Sequence, residues 1–409
     1  MAQLNITLNQ EEILQLLSSN RDDAFKTLLQ NSLNSILQAE STEQLKAEKY
    51  ERSDERTDSR NGTRTRQLVT RVGTIDLAVP RHRDVPFHSL VFDNYKRSEA
   101  ALVASMAEMV VAGVSTRKVS KVVETLCGAS FSKSTVSEVC KDMDKAVEEF
   151  RNRPLPDPYP FLLVDATYFK VRENHRVVSK AFMVACATNM QGKREIIGFD
   201  IYKDESKNTW LMFIDSLKRR GLHGVRMITS DANQGILYAI KRVYPEVPWQ
   251  RCQTHFSRDI LEKTPAKYQK GLHTELLEMY NAPGIAEARK IKERIIDDYS
   301  DIAPSAMDCL DAGFESVMTV MVLPLGLQRN HRTSNAVERL NRELKRRSNI
   351  IGVFTNDASV IRLMGSVLMD QHDAAYKPTG YPVRYLKNLD DYWPKLQVIA
   401  AEQRKLFVA

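Results

Sequence analysis

Two short apolar runs, each stopping at an aspartate, do most to limit what this chain can fold into. Phe161-Leu-Leu-Val164 runs into Asp165, and Val225-Arg-Met-Ile-Thr229 runs into Ser230-Asp231. Runs of four or five mainly apolar residues bounded by polar ones read as buried strands. Between them, Val177 to Ala187 and Arg194 to Ile201 read as two more strands, with Asn189-Met-Gln-Gly192 as their turn. Trp210, Phe213, Ile214 and Leu217 mark a helix that stops at Gly221. Beyond Asp231 a helix is expected from Asn233 to Tyr244, then a fifth short strand at Val247-Pro-Trp-Gln250. Three adjacent strands followed by alternating helices and strands predict an α/β core with a mixed five-stranded sheet and helices packed on it. From His255 to about Pro324 the pattern is helical, broken at Pro265, Pro283 and Pro304, and Asn335 to Arg347 reads as a strongly basic helix.

Upstream the pattern differs. Leu14, Leu16 and Leu17, then Phe25, Leu28, Leu29, Leu33 and Leu37, fall at helical spacing and predict two helices over 9–48. The polar stretch Glu51–Gly62 reads as a mobile linker. Gln67 to Pro80 reads as a β-hairpin turning at Val72-Gly73-Thr74, with Arg81-His82-Arg83 after it. Over 98–150, Thr116 opens an amphipathic helix that Gly128 can end, and Ser132-Lys133-Ser134-Thr135 offers a cap for a second helix from Val136. That pair fits a helix-turn-helix, and equally an ordinary αα-hairpin. Arg153 to Pro160 holds four prolines in eight positions and reads as a stiff connector. The expected division is 1–50, 51–97, 98–153 as helical DNA-binding domain, 154–256 as first part of the core, 257–330 as helical insertion, and 331–409 as the rest of the core.

The 409 residues carry a net charge of +7, a mild bias toward polyanionic partners. No apolar run reaches the roughly 18 residues of a membrane helix, and the N-terminus lacks a signal-peptide pattern. Five irregularly spaced cysteines suggest reduced thiols. The expectation is a cytoplasmic protein without a membrane.

Asp165 and Asp231 at neighbouring strand ends would project from one sheet edge and reach one metal site, as metal-assisted phosphodiester chemistry requires. Hard divalent ions take oxygen ligands, so Asp and Glu are the fitting residue types. Each Asp alone also reads as a turn or helix cap, and Asp231 could simply begin the next helix. Glu338 is the third candidate. From Arg329 to Arg347 there are seven Lys or Arg against two Glu, and Glu338, Arg342 and Lys345 share one helix face. The alternative there is a capping box between Asn335 and Glu338, with Arg342 as an i,i+4 partner.

Four ordered segments resemble the IS256/Mutator family of transposases. They are Val164-Asp-Ala-Thr-Tyr-Phe169, Ser230-Asp-Ala-Asn-Gln-Gly235, Trp249-Gln-Arg-Cys-Gln-Thr-His-Phe256, and Thr333-Ser-Asn-Ala-Val-Glu-Arg-Leu-Asn-Arg-Glu-Leu-Lys-Arg-Arg347 continued by Ile351-Gly-Val-Phe354. The resemblance implies an RNase H-like core with an all-helical insertion before the last acidic residue, plus a mainly helical N-terminal DNA-binding region. It implies a DDE triad of Asp165, Asp231 and Glu338 that is both catalytic and metal-binding, with Lys345 matching the basic residue that follows the Glu. Glu343 is the competing Glu, off the motif position. Cys252 and His255 match a Cys-x-x-His pair of the family. A structural zinc site takes four ligands and no second such pair exists, so Cys252 reads as a core residue and His255 as a neighbour of the site.

The activity this implies is binding of transposon terminal inverted repeats, DNA cleavage by two-metal-ion hydrolysis, and joining of the freed 3′-OH to another strand. The cofactor would be Mg2+, with Mn2+ able to substitute. The partners would be double-stranded DNA and a second copy of the chain in a homodimer, at a bacterial nucleoid. Tyr168 would line the site. Arg329, Arg332, Arg339, Arg342, Lys345, Arg346 and Arg347 are candidates for phosphate contacts, and Arg81 and Arg83 for DNA-end recognition. Three rivals remain from the sequence alone: a DNA-binding regulator without chemistry, a nuclease that cleaves without joining, and a glycosidase using two carboxylates. The last leaves the basic Glu338 helix unexplained.

Overall fold

The computed structural model describes residues 21–51, 56–70, 73–89, 100–111, 114, 116–127, 136, 140–375 and 383–405. The chain divides into two compact units, Met1–Asp142 and Met143–Ala409. In the first, helix α1 (Arg21–Leu45) precedes an antiparallel hairpin of β1 (Arg60–Thr70) and β2 (Gly73–His82). Leu37 of α1 packs with Leu68, Ile75, Leu77 and Val79, the inward residues of the hairpin. The leucines at 14, 16 and 17, and the turn residues Arg71 and Val72, lie outside the described residues. The stretch read as a mobile linker is partly strand: Arg60 to Gly62 belong to β1. Asp58 explains why, since its carboxylate accepts from the backbone N–H groups of Asp84 and Val85 and ties the start of β1 to the end of β2. Helices α2 (Ala100–Val111) and α3 (Thr116–Cys127) share a small core of Met106, Val119, Val123 and Val136. The Ser132–Thr135 cap and residues 137–139 lie outside the described residues; where the expected second helix of the pair continues, Cys140–Met143 is a 3-10 turn and an α-helix begins at Asp144.

The second unit opens with α4 (Asp144–Asn152). The proline run after it is no free connector. Leu155 and Tyr159 are buried, the Leu155 N–H donates to the Arg220 carbonyl at 2.8 Å, and Arg226 N–H donates to the Pro160 carbonyl at 2.8 Å. Proline lacks an N–H, so the run has few donors to pair, and those of Leu155 and Tyr159 go to the carbonyls of Arg220 and His223 in the segment before the neighbouring strand. The unit boundary therefore falls ahead of α4 rather than at the prolines.

Strands β3 (Phe161–Glu173), β4 (Arg176–Thr188) and β5 (Arg194–Tyr202) form an antiparallel meander. Helix α5 (Lys207–Arg219), β6 (Met227–Ser230), α6 (Gln234–Val243) and β7 (Trp249–Arg251) follow, and the sheet order is β5-β4-β3-β6-β7 with β6 and β7 parallel to β3. The mixed five-stranded sheet expected from the sequence is present. One expectation fails: β3 does not end at Asp165. Thr167, Phe169 and Val171 alternate into the core and keep it paired with β4 to Glu173. One face of the sheet is covered by α5 and α6 through Trp210, Phe213, Ile214, Leu217, Ile236 and Ile240.

The helical block expected after β7 is α7 (Gln253–Glu262), α8 (Ala266–Tyr280), α9 (Ile285–Tyr299) and α10 (Pro304–Val317). It has its own core, centred on Phe256, Ile260, Leu276, Ile295, Leu310 and Phe314. The chain then returns through α11 (Leu325–His331), α12 (Asn335–Ile351), α13 (Asp357–Ala375) and α14 (Trp393–Lys405). Helices α12 and α13 lie against β3 and β5 on the sheet. The return is pinned at His331, which is fully buried, stacks on Phe161 with centroids 3.8 Å apart, and accepts at its carbonyl from Thr229 Oγ1. That contact delivers the start of α12 to the sheet. No described helix is long and apolar enough to cross a membrane.

Candidate active site

The pairing of β3 with β6 stops at Leu163–Thr229, and the two aspartates follow directly. Asp165 lies on β3 beyond the end of its parallel neighbour; Asp231 lies in the turn after β6. The helix-cap reading of Asp231 fails, because Asn233 caps α6: its Oδ1 accepts from Gly235 and Ile236 N–H. Asp231 is left with a turn bond from Asn233 N–H at 3.2 Å.

Asp165 accepts from Ala166 N–H at 2.9 Å and from Asn341 Nδ2 at 2.9 Å. Burial, and then the charge of Asp231, push its pKa up to about 7, against the opposing pull of His255. Burial likewise raises the pKa of Asp231. Two part-buried carboxylates side by side disfavour each other's ionisation.

The third candidate arrives on α12. Ser334, not Asn335, is the N-cap, and its side chain makes no capping bond to the helix. Ser334 Oγ instead donates to Glu338 Oε1 at 3.1 Å and to Cys252 Sγ at 3.2 Å. The capping-box reading of Glu338 is therefore corrected. Among the described residues its ionic neighbour is His255, at 3.8 Å, and not Arg342. Although burial pushes the Cys252 thiol up, hydrogen bonds from His255 and Ser334 outweigh it and lower the pKa. The Cys252 bond raises His255 to about 9, against burial, with help from the charges of Asp165 and Glu338. The described residues whose ligand atoms all lie within 4.8 Å of one another are Cys252, His255 and Glu338. Asp165 and Asp231 thus lie together, while the Glu338 carboxylate leans toward the cysteine and histidine.

Glu343 is occupied elsewhere. Arg346 and Arg347 bond it at 2.7 and 2.8 Å; the Arg346 bond is the main cause holding its pKa at about 2. Arg329, Arg339, Arg342, Lys345 and Arg346 are exposed, and Arg332 donates to Asn281 Oδ1 at 2.9 Å. Two open clefts of about 580 and 400 Å3 flank the start of α12, and both are lined by Arg329, Thr333 and Asn335. Arg81 and Arg83 are exposed at the end of β2 in the first unit. Tyr168 is half-exposed and hydrogen-bonded to Glu205, which also accepts from Asn233 Nδ2 at 3.2 Å.

Three residues of this site escaped sequence reasoning. Asn341 lies three positions after Glu338, on the same helix face, so its place was available from helical geometry. Ser334 and Glu205 carried no signal. Asn341 is nearly buried, and its side-chain hydrogen bond among the described residues is the one to Asp165. Asn341→Ala is expected to lower turnover about 10–100-fold, as loss of a ligand-orienting partner does. A variant with wild-type turnover would remove Asn341 from the site.

The family model described as "Transposase, Mutator family" matches residues 1–377. The transposase for insertion sequence element IS256 in transposon Tn4001 from Staphylococcus aureus is 44% identical over 378 residues, covering 91% of this chain and 96% of that one. The transposase of insertion sequence ISRM5 from Rhizobium meliloti is 36% identical, covering 90% and 92%, and that of IS1081 from Mycobacterium tuberculosis 38%, covering 86% and 85%. The chain belongs to the Mutator family of transposases.

Proposed function

We propose that the protein is a DDE transposase that cuts at transposon terminal inverted repeats and joins the freed 3′-OH to another DNA strand. The carrying observation is the pair Asp165, on β3, and Asp231, in the turn just past the adjacent parallel strand β6, both resisting ionisation, with Glu338 entering from a basic helix. The strand order, an antiparallel meander followed by two parallel strands on the side of its first strand, supports an RNase H-like core.

The donor set fits Mg2+, with Mn2+ as a substitute: all-oxygen and anionic, with a buried carboxylate whose charge lacks full compensation. Asp165, Asp231 and Glu338 would hold the ions. Bound there, they supply Lewis acidity for hydrolysis of the phosphodiester and for strand transfer. The protein contributes the rest. Asn341 orients Asp165. The exposed Arg329, Arg339, Arg342 and Lys345 take adjacent phosphates, which makes binding steeply salt-dependent. The first unit, with Arg81 and Arg83, reads the DNA end, and a homodimer brings two ends together.

The test is cleavage and joining of a labelled transposon-end duplex with Mg2+. Asp231→Asn and Glu338→Gln are expected to abolish both steps while retaining end binding, and Glu343→Gln to stay within a few-fold of wild type. Activity surviving in Glu338→Gln would overturn the assignment.

A further inference from the structure

Cys252 follows β7 as the N-cap residue of α7, His255 lies in the first turn of α7, and Glu338 in the first turn of α12. Their side chains meet although Glu338 is 86 positions from Cys252. Glu338 Oε1 lies 4.0 Å from Cys252 Sγ and 3.8 Å from His255 Nε2. In a tetrahedral zinc site, ordinary bond lengths put such ligand atoms roughly 3.3–3.6 Å apart. The two distances to Glu338 need to close by only a few tenths of an ångström, and all three ligand atoms lie within 4.8 Å of one another. Cys252 is fully buried, whereas His255 and Glu338 are each about one-fifth exposed, so the cluster opens on one side.

We propose that Cys252, His255 and Glu338 are the three protein ligands of a site for one thiophilic divalent cation of the zinc class. The site is separate from the hard-cation site at Asp165 and Asp231 but shares Glu338 with it. Three protein ligands of mixed sulfur, nitrogen and oxygen type, with a fourth position left to water, match open zinc sites. The requirement for two Cys/His pairs belongs to closed structural sites and does not apply. Thiolate and imidazole reject Mg2+ and favour softer ions. A thiolate and a neutral imidazole are needed as ligands, so binding releases to solvent the protons that the Cys252–His255 pair holds, and Ser334, which now bridges Cys252 and Glu338, is displaced from between them. Because Glu338 cannot serve both sites, the soft ion withholds it from the aspartates and inhibits strand cleavage. That last consequence rests on the transposase reading; the binding itself does not.

The experiment is titration of the full chain with Co2+, followed by absorption. Equimolar Co2+ is expected to give the thiolate-to-cobalt charge-transfer band and the visible bands of a four-coordinate site. Excess Mg2+ competes for Glu338 alone, so it is expected to weaken Co2+ binding without removing the thiolate band. Cys252→Ser should lose the charge-transfer band and Cys309→Ser keep it. His255→Asn and Glu338→Gln should keep the band but weaken Co2+ binding at least tenfold. No band at equimolar Co2+, a band surviving in Cys252→Ser, unchanged affinity in both His255→Asn and Glu338→Gln, or bleaching by Mg2+ would overturn the proposal. A normal spectrum with no DNA cleavage under any condition would sink the transposase reading and leave the metal site standing.

Discussion

Asp165→Asn should destroy strand cleavage and yet make the metal-free protein harder to unfold. The activity loss is expected on the order of 10³-fold or more, since an amide cannot replace an anionic ligand. The gain in stability follows from the raised pKa. An Asp held near 7 in the folded chain, against 3.8 when unperturbed, prefers its proton in the native state. Below about pH 4 the carboxyl is neutral folded and unfolded, and nothing is lost. As pH rises toward 7 the unfolded chain ionises first, and native stability falls until the folded carboxyl ionises too. Asn is neutral throughout. It keeps the Ala166 bond, and once the Asn341 amide, whose Nδ2 now faces Asp165, turns over, Asn341 Oδ1, which has no partner among the described residues, can accept from the new amide. At pH 8 without divalent ions the variant should be more stable by about 1–3 kcal/mol, with the difference fading near pH 4. Thermal midpoints at the two pH values check it. Equal midpoints at pH 8 would mean the burial of Asp165 carries no strain. Mg2+ should raise the wild-type midpoint and hardly move that of the variant.

Gly235→Val should damage both the fold and the turn that presents Asp231. A Cβ at Gly235 would sit 2.5 Å from the Glu205 carbonyl oxygen and 2.8 Å from the Trp210 ring, and neither is a flexible side-chain end. Trp210 is fully buried in the sheet core. The first turn of α6 must therefore move away, taking with it Asn233, its cap and its bond to Glu205, and so the turn that presents Asp231. Overpacking of this kind costs about 1–3 kcal/mol. The expected result is a lower urea midpoint together with reduced cleavage, whereas Gly284→Ala, where a Cβ meets nothing within 4 Å, should change neither by much. A wild-type midpoint for Gly235→Val would show that the turn has slack.

Much of this was legible from local pattern. The presence of the strand that carries Asp165 and of the one that stops just before Asp231, the breaks at Pro265, Pro283 and Pro304, and the basic helix all follow from periodicity and breaker residues, which act over a few positions. The errors came where distant neighbours decide. The extent of β3 depends on β4, which pairs it past Asp165. The proline run looked detached because its partners, Arg220 to Arg226, lie some 65 residues on. The cap of α12 was misread because Ser334 is drawn to Cys252, a residue no local rule connects to it.

The helical block between β7 and α12 also fixes when the site exists at all. A ribosome delivers Asp165 and Asp231 well before Glu338, and domains form from the N-terminal side as they emerge. The block has its own core and can close early. A chain stalled or truncated inside or just after it would carry both aspartates on their strands but neither the third carboxylate nor Asn341. On this reading a partial product holds no complete cutting centre, and the capacity to break DNA appears only after most of the polypeptide has been made.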